Sequence, residues 1–267
     1  MNATETLPIT RIASTLAVAA MSLASAACSE APSSTQAPHL PAAYTGAAAC
    51  HASGPAKVLA RRVFVPAGVL ASERDGGFSV RFATAKSRCL AVGWGSGGDD
   101  AQPASCPTLE ARTVAREDAS DETMLAWESH DDLEPRIKLG VVTYDIPRSL
   151  LGVSFPARKQ IVERTFLAPG SSRDAGQMAP ALAPIGHDRF LLAWVEGGVE
   201  SSELRAQSVV GWGDALGPSM VLSPKDASVI GRPSVVVAPT GYGLVTYVAS
   251  IDSEFDVLAT PIACATN

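Results

Sequence analysis

The chain has 267 residues, a formal net charge of −6 and a sequence pI near 5.2. It is 46% hydrophobic and 18% charged, long and apolar enough to bury a sizeable core. Its 21 Lys and Arg residues are scattered among 27 acids, which excludes nucleic acid as a partner, because neutralising phosphates needs clustered cations.

In chain order, the first predicted element is a processing segment. After Arg11, residues 12–27 (IASTLAVAAMSLASAA) are uncharged and apolar or small. The run is short for a membrane span, which takes about 20 apolar residues, and fits the hydrophobic region of a secretory signal. Residues 1–27 are therefore read as a signal peptide. Cys28 follows directly. Small residues before a cysteine resemble the lipobox of bacterial lipoproteins, in which that cysteine is acylated and becomes the mature N-terminus. Ser25 stands where such signals usually carry Leu, and Leu23 lies two residues earlier. The alternative is cleavage after Ala24-Ser25-Ala26, which would give a soluble secreted protein. Residues 28–49 combine this cysteine with a Ser-, Ala- and Pro-rich stretch that has almost no large apolar side chains. Such a stretch cannot bury enough surface to offset chain entropy and is read as a flexible tether.

Residues 50–267 form the expected folded domain. It contains Cys50, Cys89, Cys106 and Cys264, an even number once Cys28 is set aside, as expected in an oxidising compartment. We expect Cys89–Cys106, which flank one strand and its loop, and Cys50–Cys264, which lie at the two ends of the domain. No CxxC or Cys-His spacing points to zinc.

Its elements are short apolar runs bounded by Pro and Gly. Upstream, FSVRFA (78–83) precedes CLAVGW (89–94), and MLAW (124–127) precedes KLGVV (138–142). Downstream the pattern becomes a repeat at an offset of 53 residues. Pro180-Ala181-Leu182 overlays Pro233-Ser234-Val235, and LLAWV (191–195) overlays LVTYV (244–248). Leu204 overlays Val257, and Ala206 overlays Ala259. Runs of four to seven residues rich in Val, Leu and aromatics are too short for ordinary helices. Pro at their edges suits strand ends. Four strands per repeat at periods of about 50 residues is the signature of propeller blades, which bury both faces by stacking. The expected fold is all-β, a propeller-like stack of about four four-stranded antiparallel units, with a β-sandwich as the alternative. Trp94, Trp127, Trp194 and Tyr247 are the expected structural aromatics, packed between sheets. On these residues the chain resembles secreted bacterial lipoproteins with β-propeller-like repeats. The resemblance covers roughly residues 110–264 and implies fold and export, but no activity.

Several motifs fail. GWGSGG (93–98) matches a dinucleotide-binding loop, but Asp99, Asp100 and Pro103 follow it where a helix N-terminus is required. Ser172-Arg173-Asp174-Ala175-Gly176 starts like the Asp-box turn of sialidase propellers, then departs at Met178 and Ala179. His39, His51, His130 and His187 have no nucleophile at a telling spacing. One constellation remains: the loop leaving each aromatic strand is acidic. Asp99 and Asp100 follow Trp94, Asp131 and Asp132 follow Trp127, Glu196 and Glu200 follow Trp194, and Asp252 follows Tyr247. On equivalent loops these carboxylates would ring one end of the stack, where calcium is the candidate cation. No other cofactor is expected. The bland reading is that hairpin loops are polar and use Asp as a turn residue.

The function expected from this is an envelope-anchored, non-enzymatic binding or interaction module with an acidic loop rim. Its partner would be an envelope or extracellular ligand, and its contact with membrane only the N-terminal lipid. The localisation expected is the bacterial cell envelope, as an outer-membrane lipoprotein. The alternative function is a secreted hydrolase acting on carbohydrate, since propellers can place paired carboxylates around a pocket.

Overall fold

The computed structural model describes residues 50–63, 68–74, 76–84, 86, 88–95, 101–107, 113–117, 122–131, 134–144, 149–150, 153–154, 159–166, 175–186, 188–198, 201–211 and 213–265. The signal, Cys28 and the tether lie outside the described residues.

The described residues contain no helix. Two short strands come first, β1 (His51–Ala52) and β2 (Lys57–Ala60). The first sheet follows, with β3 (Val69–Arg74), β4 (Gly77–Ala83), β5 (Cys89–Trp94) and β6 (Gln102–Pro103) in sequential order. The second holds β7 (Thr113–Glu117), β8 (Glu122–Ser129), β9 (Arg136–Tyr144) and, after the small hairpin of β10 (Ser149–Leu150) and β11 (Val153–Ser154), β12 (Lys159–Thr165). The third is β13 (Gly176–Gly186), β14 (Arg189–Gly197), β15 (Ser202–Val210) and β16 (Ala215–Val221). The fourth is β17 (Ser228–Val237), β18 (Tyr242–Ile251) and β19 (Glu254–Ala263). Both β1 and β2 pair antiparallel with β19, so the chain's first strands complete its last sheet. The molecule is all-β, built on four antiparallel sheets that do not form a closed barrel.

Three apolar clusters join the sheets. One joins the second and third sheets through Met124, Ile137, Leu139, Phe190, Leu192 and Trp194. Another joins the third and fourth through Leu191, Ala193, Val195, Val245, Tyr247 and Leu258. The last joins the fourth and first through Leu244, Val248, Val257, Phe78, Val80 and Phe82. Among the described residues no such cluster joins the first sheet to the second. This stacking explains FLLAWV. Alternate side chains of a strand point to opposite faces. Phe190, Leu192 and Trp194 therefore meet the second sheet, and Leu191, Ala193 and Val195 meet the fourth. A strand covered on both faces must be apolar at every position, hence an unbroken run in place of alternation.

The aromatic recurs for a related reason. It is the sixth residue of the second strand in every sheet: Phe82 in β4, Trp127 in β8, Trp194 in β14 and Tyr247 in β18. Phe82, Trp194 and Tyr247 are almost fully buried, each against the sheet before its own in the stack. Trp127 is half-buried, and it faces the side on which the second sheet lacks a described partner. Trp94, expected in this role, instead ends the third strand of its sheet. It is half-buried opposite Phe78 and packs against the cluster between the first and fourth sheets, as expected of a structural aromatic, with Lys57 Nζ 5.3 Å from its ring centroid. CLAVGW ends like LLAW, but counting residues from the β3–β4 turn assigns the position to Phe82.

Both cysteine pairs are bonded. Cys50 and Cys264 have Cα atoms 4.0 Å apart and continue the β1–β19 register, in which His51 faces Ala263. The bond lies within the fourth sheet and clasps the first strand to the last. The Cys50 amide also donates to Ser208 Oγ at 3.0 Å, tying the clasp to the third sheet. Cys89 and Cys106, with Cα atoms 5.0 Å apart, pin the segment after β6 to the start of β5.

Candidate functional site

Where the β14–β15 hairpin meets the β16–β17 connection, the third sheet opens into a cleft of about 510 Å³. Its inner wall follows from strand register. Trp194 faces Arg205 and Glu196 faces Glu203 across β14–β15, so two acids and one base meet at the hairpin end. Gly197 makes that end possible. Its φ is +135°, and a Cβ there would run into the carbonyl oxygen of Ser201. The Gly198 amide donates to the same carbonyl at 3.1 Å and closes the turn. The opposite wall is held by Ser223, whose Oγ accepts the Leu204 amide at 3.0 Å, and by Ser202, whose hydroxyl donates to the Val229 carbonyl at 2.6 Å.

The charges of the cleft are unequally committed. Glu196 is 5% exposed and uses both oxygens. Oε2 accepts from Trp194 Nε1 at 3.0 Å, and Oε1 lies 3.2 Å from Arg205 Nε. Burying this carboxylate is tolerable because it is paired and hydrogen-bonded. Arg205 Nε also donates to Glu203 Oε1 at 2.6 Å, and Nη1 donates to Ser219 Oγ at 3.1 Å. A guanidinium has five N–H groups, and Nη2 of Arg205 meets no acceptor among the described residues. The Glu203 side chain is 41% exposed. Lys225 lines the cleft, is exposed, and forms no ion pair with any described residue.

Of the acidic loop residues expected from sequence, the structure describes Asp131, Glu196 and Asp252, each with its own local setting. Asp99, Asp100, Asp132 and Glu200 lie outside the described residues, as do His39, His187 and Ser172 to Asp174. Asp131 sits after β8, bonded to Lys138 and accepting from Ser129 Oγ at 2.7 Å, and the Lys138 bond foremost holds its carboxyl below the usual carboxylate range. Asp252 and Ser253 form the two-residue turn between β18 and β19 with φ of 49° and 65°. Positive φ at both positions is the type I′ hairpin geometry in which Asp serves the backbone. Among the described residues, no three His, Cys, Asp or Glu side chains converge as metal ligands. His51 is exposed on β1, and His130 pairs with Glu128 at 2.9 Å.

Sequence reasoning reached the loop after Trp194 but missed Arg205 and Lys225. Arg205 was legible in principle: once β14 and β15 are read as a hairpin, the residue opposite Trp194 is Arg205. No protein-family model matches the chain, and no curated protein matches it significantly.

Proposed function

We propose that the folded domain is a non-enzymatic binding module of an exported protein, with the cleft at the end of the third sheet as its ligand surface. The observation that carries this reading is the engagement of both oxygens of Glu196. A glycosidase needs one carboxyl free to give a proton and another free to attack or to activate water. Here the indole of Trp194 and the guanidinium of Arg205 already hold Glu196, and the same guanidinium holds Glu203. What remains open in the cleft is a set of hydrogen-bonding groups, donors on Arg205 and Lys225 and the second oxygen of the exposed Glu203, which serve recognition.

Export is supported by the two disulfides, which persist in oxidising compartments. A lipid on Cys28, with residues 29–49 as tether, would hold the domain at the cell envelope, and membrane fractionation of Cys28→Ser tests that anchor. The propeller-like reading of the scaffold is supported by the four sheets, the last completed by strands from the chain's beginning. To test the binding reading, purified domain is titrated against glycan, peptide and envelope-extract arrays, and in parallel incubated with chromogenic glycosides. Saturable binding without turnover is the expected result. Turnover that disappears in Glu196→Gln would overturn it.

A further inference from the structure

We propose that the cleft takes a small carboxylate-bearing ligand, and that Glu203 occupies the ligand carboxylate's place on Arg205 until the ligand displaces it. The inference rests on the binding reading above and adds the ligand's chemistry.

The argument begins with which charges are fixed. Glu196 is buried, bonded twice, and set on the inner wall beside Arg205, whose side chain is 19% exposed. That pair is permanent, because opening it would leave a buried charge alone. Glu203 differs. It is 41% exposed and reaches Arg205 Nε through a flexible side chain with one oxygen. Ion pairs of this exposure add little stability, since water solvates the released carboxylate well. Arg205 therefore carries one carboxylate it must keep and one it can exchange. Its Nη2, unpaired among the described residues, leaves room for the two-point, fork-to-fork geometry that guanidinium and carboxylate prefer.

Charge accounting points the same way. When Glu203 swings into solvent, the inner pair is neutral and Lys225 remains on the cleft lining as a cation with no ion-pair partner among the described residues. Arg205 and Lys225 then both offer donors. The hydroxyls of Ser201 and Ser223 line the same space and suit polar substituents beside the carboxylate. A ligand with an ammonium in that place would meet Lys225 and the Arg205 fork, both repulsive. A neutral ligand would gain nothing from displacing Glu203.

The test measures binding to the disulfide-intact folded chain by calorimetry. Two acids, glutarate and digalacturonate, are each compared with an uncharged counterpart, glutaramide and galactobiose. Both acids should bind more tightly than their counterparts, and added salt should weaken that preference. Lys225→Ala should weaken acid binding about fivefold. Glu203→Gln should tighten it, because the internal competitor is gone. This opposite sign is a result that a purely structural Glu203 would not give. Lys57→Ala, remote in sequence and on β2, should change nothing. Equal binding of acid and neutral forms overturns the inference, as does weaker acid binding in Glu203→Gln or the absence of acid binding at millimolar concentration. Binding of galactobiose that ignores Lys225 and Glu203 would sink this inference and leave the binding reading standing. Turnover of a glycoside would sink the binding reading itself.

Discussion

Cutting the Cys50–Cys264 bond should cost more stability than cutting Cys89–Cys106, and the excess can be worked from chain length. The first pair is separated by 214 residues and the second by 17. In the chain-entropy account, a cross-link stabilises by restricting the unfolded chain, by an amount that grows with the logarithm of the loop. Loops of these sizes give about 5 kcal/mol for the long closure and about 3 kcal/mol for the short one at 25 °C. A domain of this kind has a total stability on the order of 5–15 kcal/mol, so the difference is measurable. The local structure sharpens the expectation, because β1 pairs with β19 over only two residues. Without the bond, the ladder and the Cys50–Ser208 hydrogen bond must hold the first strand alone. Ala is the right replacement, since both cysteines are buried in the cluster between the third and fourth sheets and Ser would place a hydroxyl there. The assay compares Cys50→Ala/Cys264→Ala with Cys89→Ala/Cys106→Ala by denaturant unfolding, with amide hydrogen exchange at Ser53, whose N–H donates to the Pro261 carbonyl, and across β2. The first variant should lose about 2 kcal/mol more than the second and show early exchange at those amides. Equal losses, or unchanged protection of β1 and β2, would refute the clasp.

Trp194→Ala should cost about 3–5 kcal/mol, measured by denaturant melts, because the ring is fully buried, packs edge-on to Phe166 at 5.4 Å and donates to Glu196; Trp127→Ala, at the same strand position but half-buried, should cost clearly less. Glu196→Ala should cost about 3–5 kcal/mol by leaving the buried Trp194 N–H without its acceptor and removing the buried carboxylate beside Arg205, whereas Glu203→Ala should cost at most about 1 kcal/mol; equal effects would contradict the division between fixed and exchangeable carboxylates. Burial pushes the Tyr247 hydroxyl from 10.0 up to about 12. A folded-state pKa above the unfolded one makes stability full below pH 10 and lost as pH rises towards 12, by up to about 3 kcal/mol. Tyr247→Phe should lose about 1 kcal/mol at neutral pH with the hydrogen bond to the Leu222 carbonyl, and should show a shallower alkaline decline than wild type in melts from pH 8 to 12.

The strand runs of the third and fourth sheets were legible because burial on two faces leaves a mark in one dimension. FLLAWV and LVTYV carry no alternation, and that absence is itself the signal of a stacked strand. The first sheet was harder to read. GFSVRFA holds two aromatics and an arginine, and CLAVGW, one strand later, imitates the LLAW ending. Only the distance from the turn, five residues on from Gly77, separates Phe82 from Trp94. The outer strands of the fourth sheet left less still. HA and KVLA are too short and too exposed to announce pairing with residues some 200 positions away, and the cysteine at each end of the domain was their only trace.

The cleft was half legible, for a reason that concerns how acids in loops acquire a role. Composition shows that carboxylates follow each aromatic strand, and a count of charges suggests a negative rim. Register adds the partner of each acid that the structure describes. Glu196 is two residues from Trp194, so on a strand both side chains point to the same face, and the carboxylate accepts from the indole beside it. Arg205 arrives from the next strand because the hairpin places it opposite Trp194. In the second sheet the same operation sets Lys138 opposite Trp127 and within reach of Asp131. In two sheets, then, the residue across from the aromatic is a cation that binds an acid two to four residues beyond that aromatic. In the fourth sheet the residue opposite Tyr247 is Leu258, and there Asp252 serves only the turn. What separates a structural acid from one that can exchange partners is the charge the ladder sets across from the aromatic, together with burial: Glu196 at 5% is fixed, and Glu203 at 41% is free to leave.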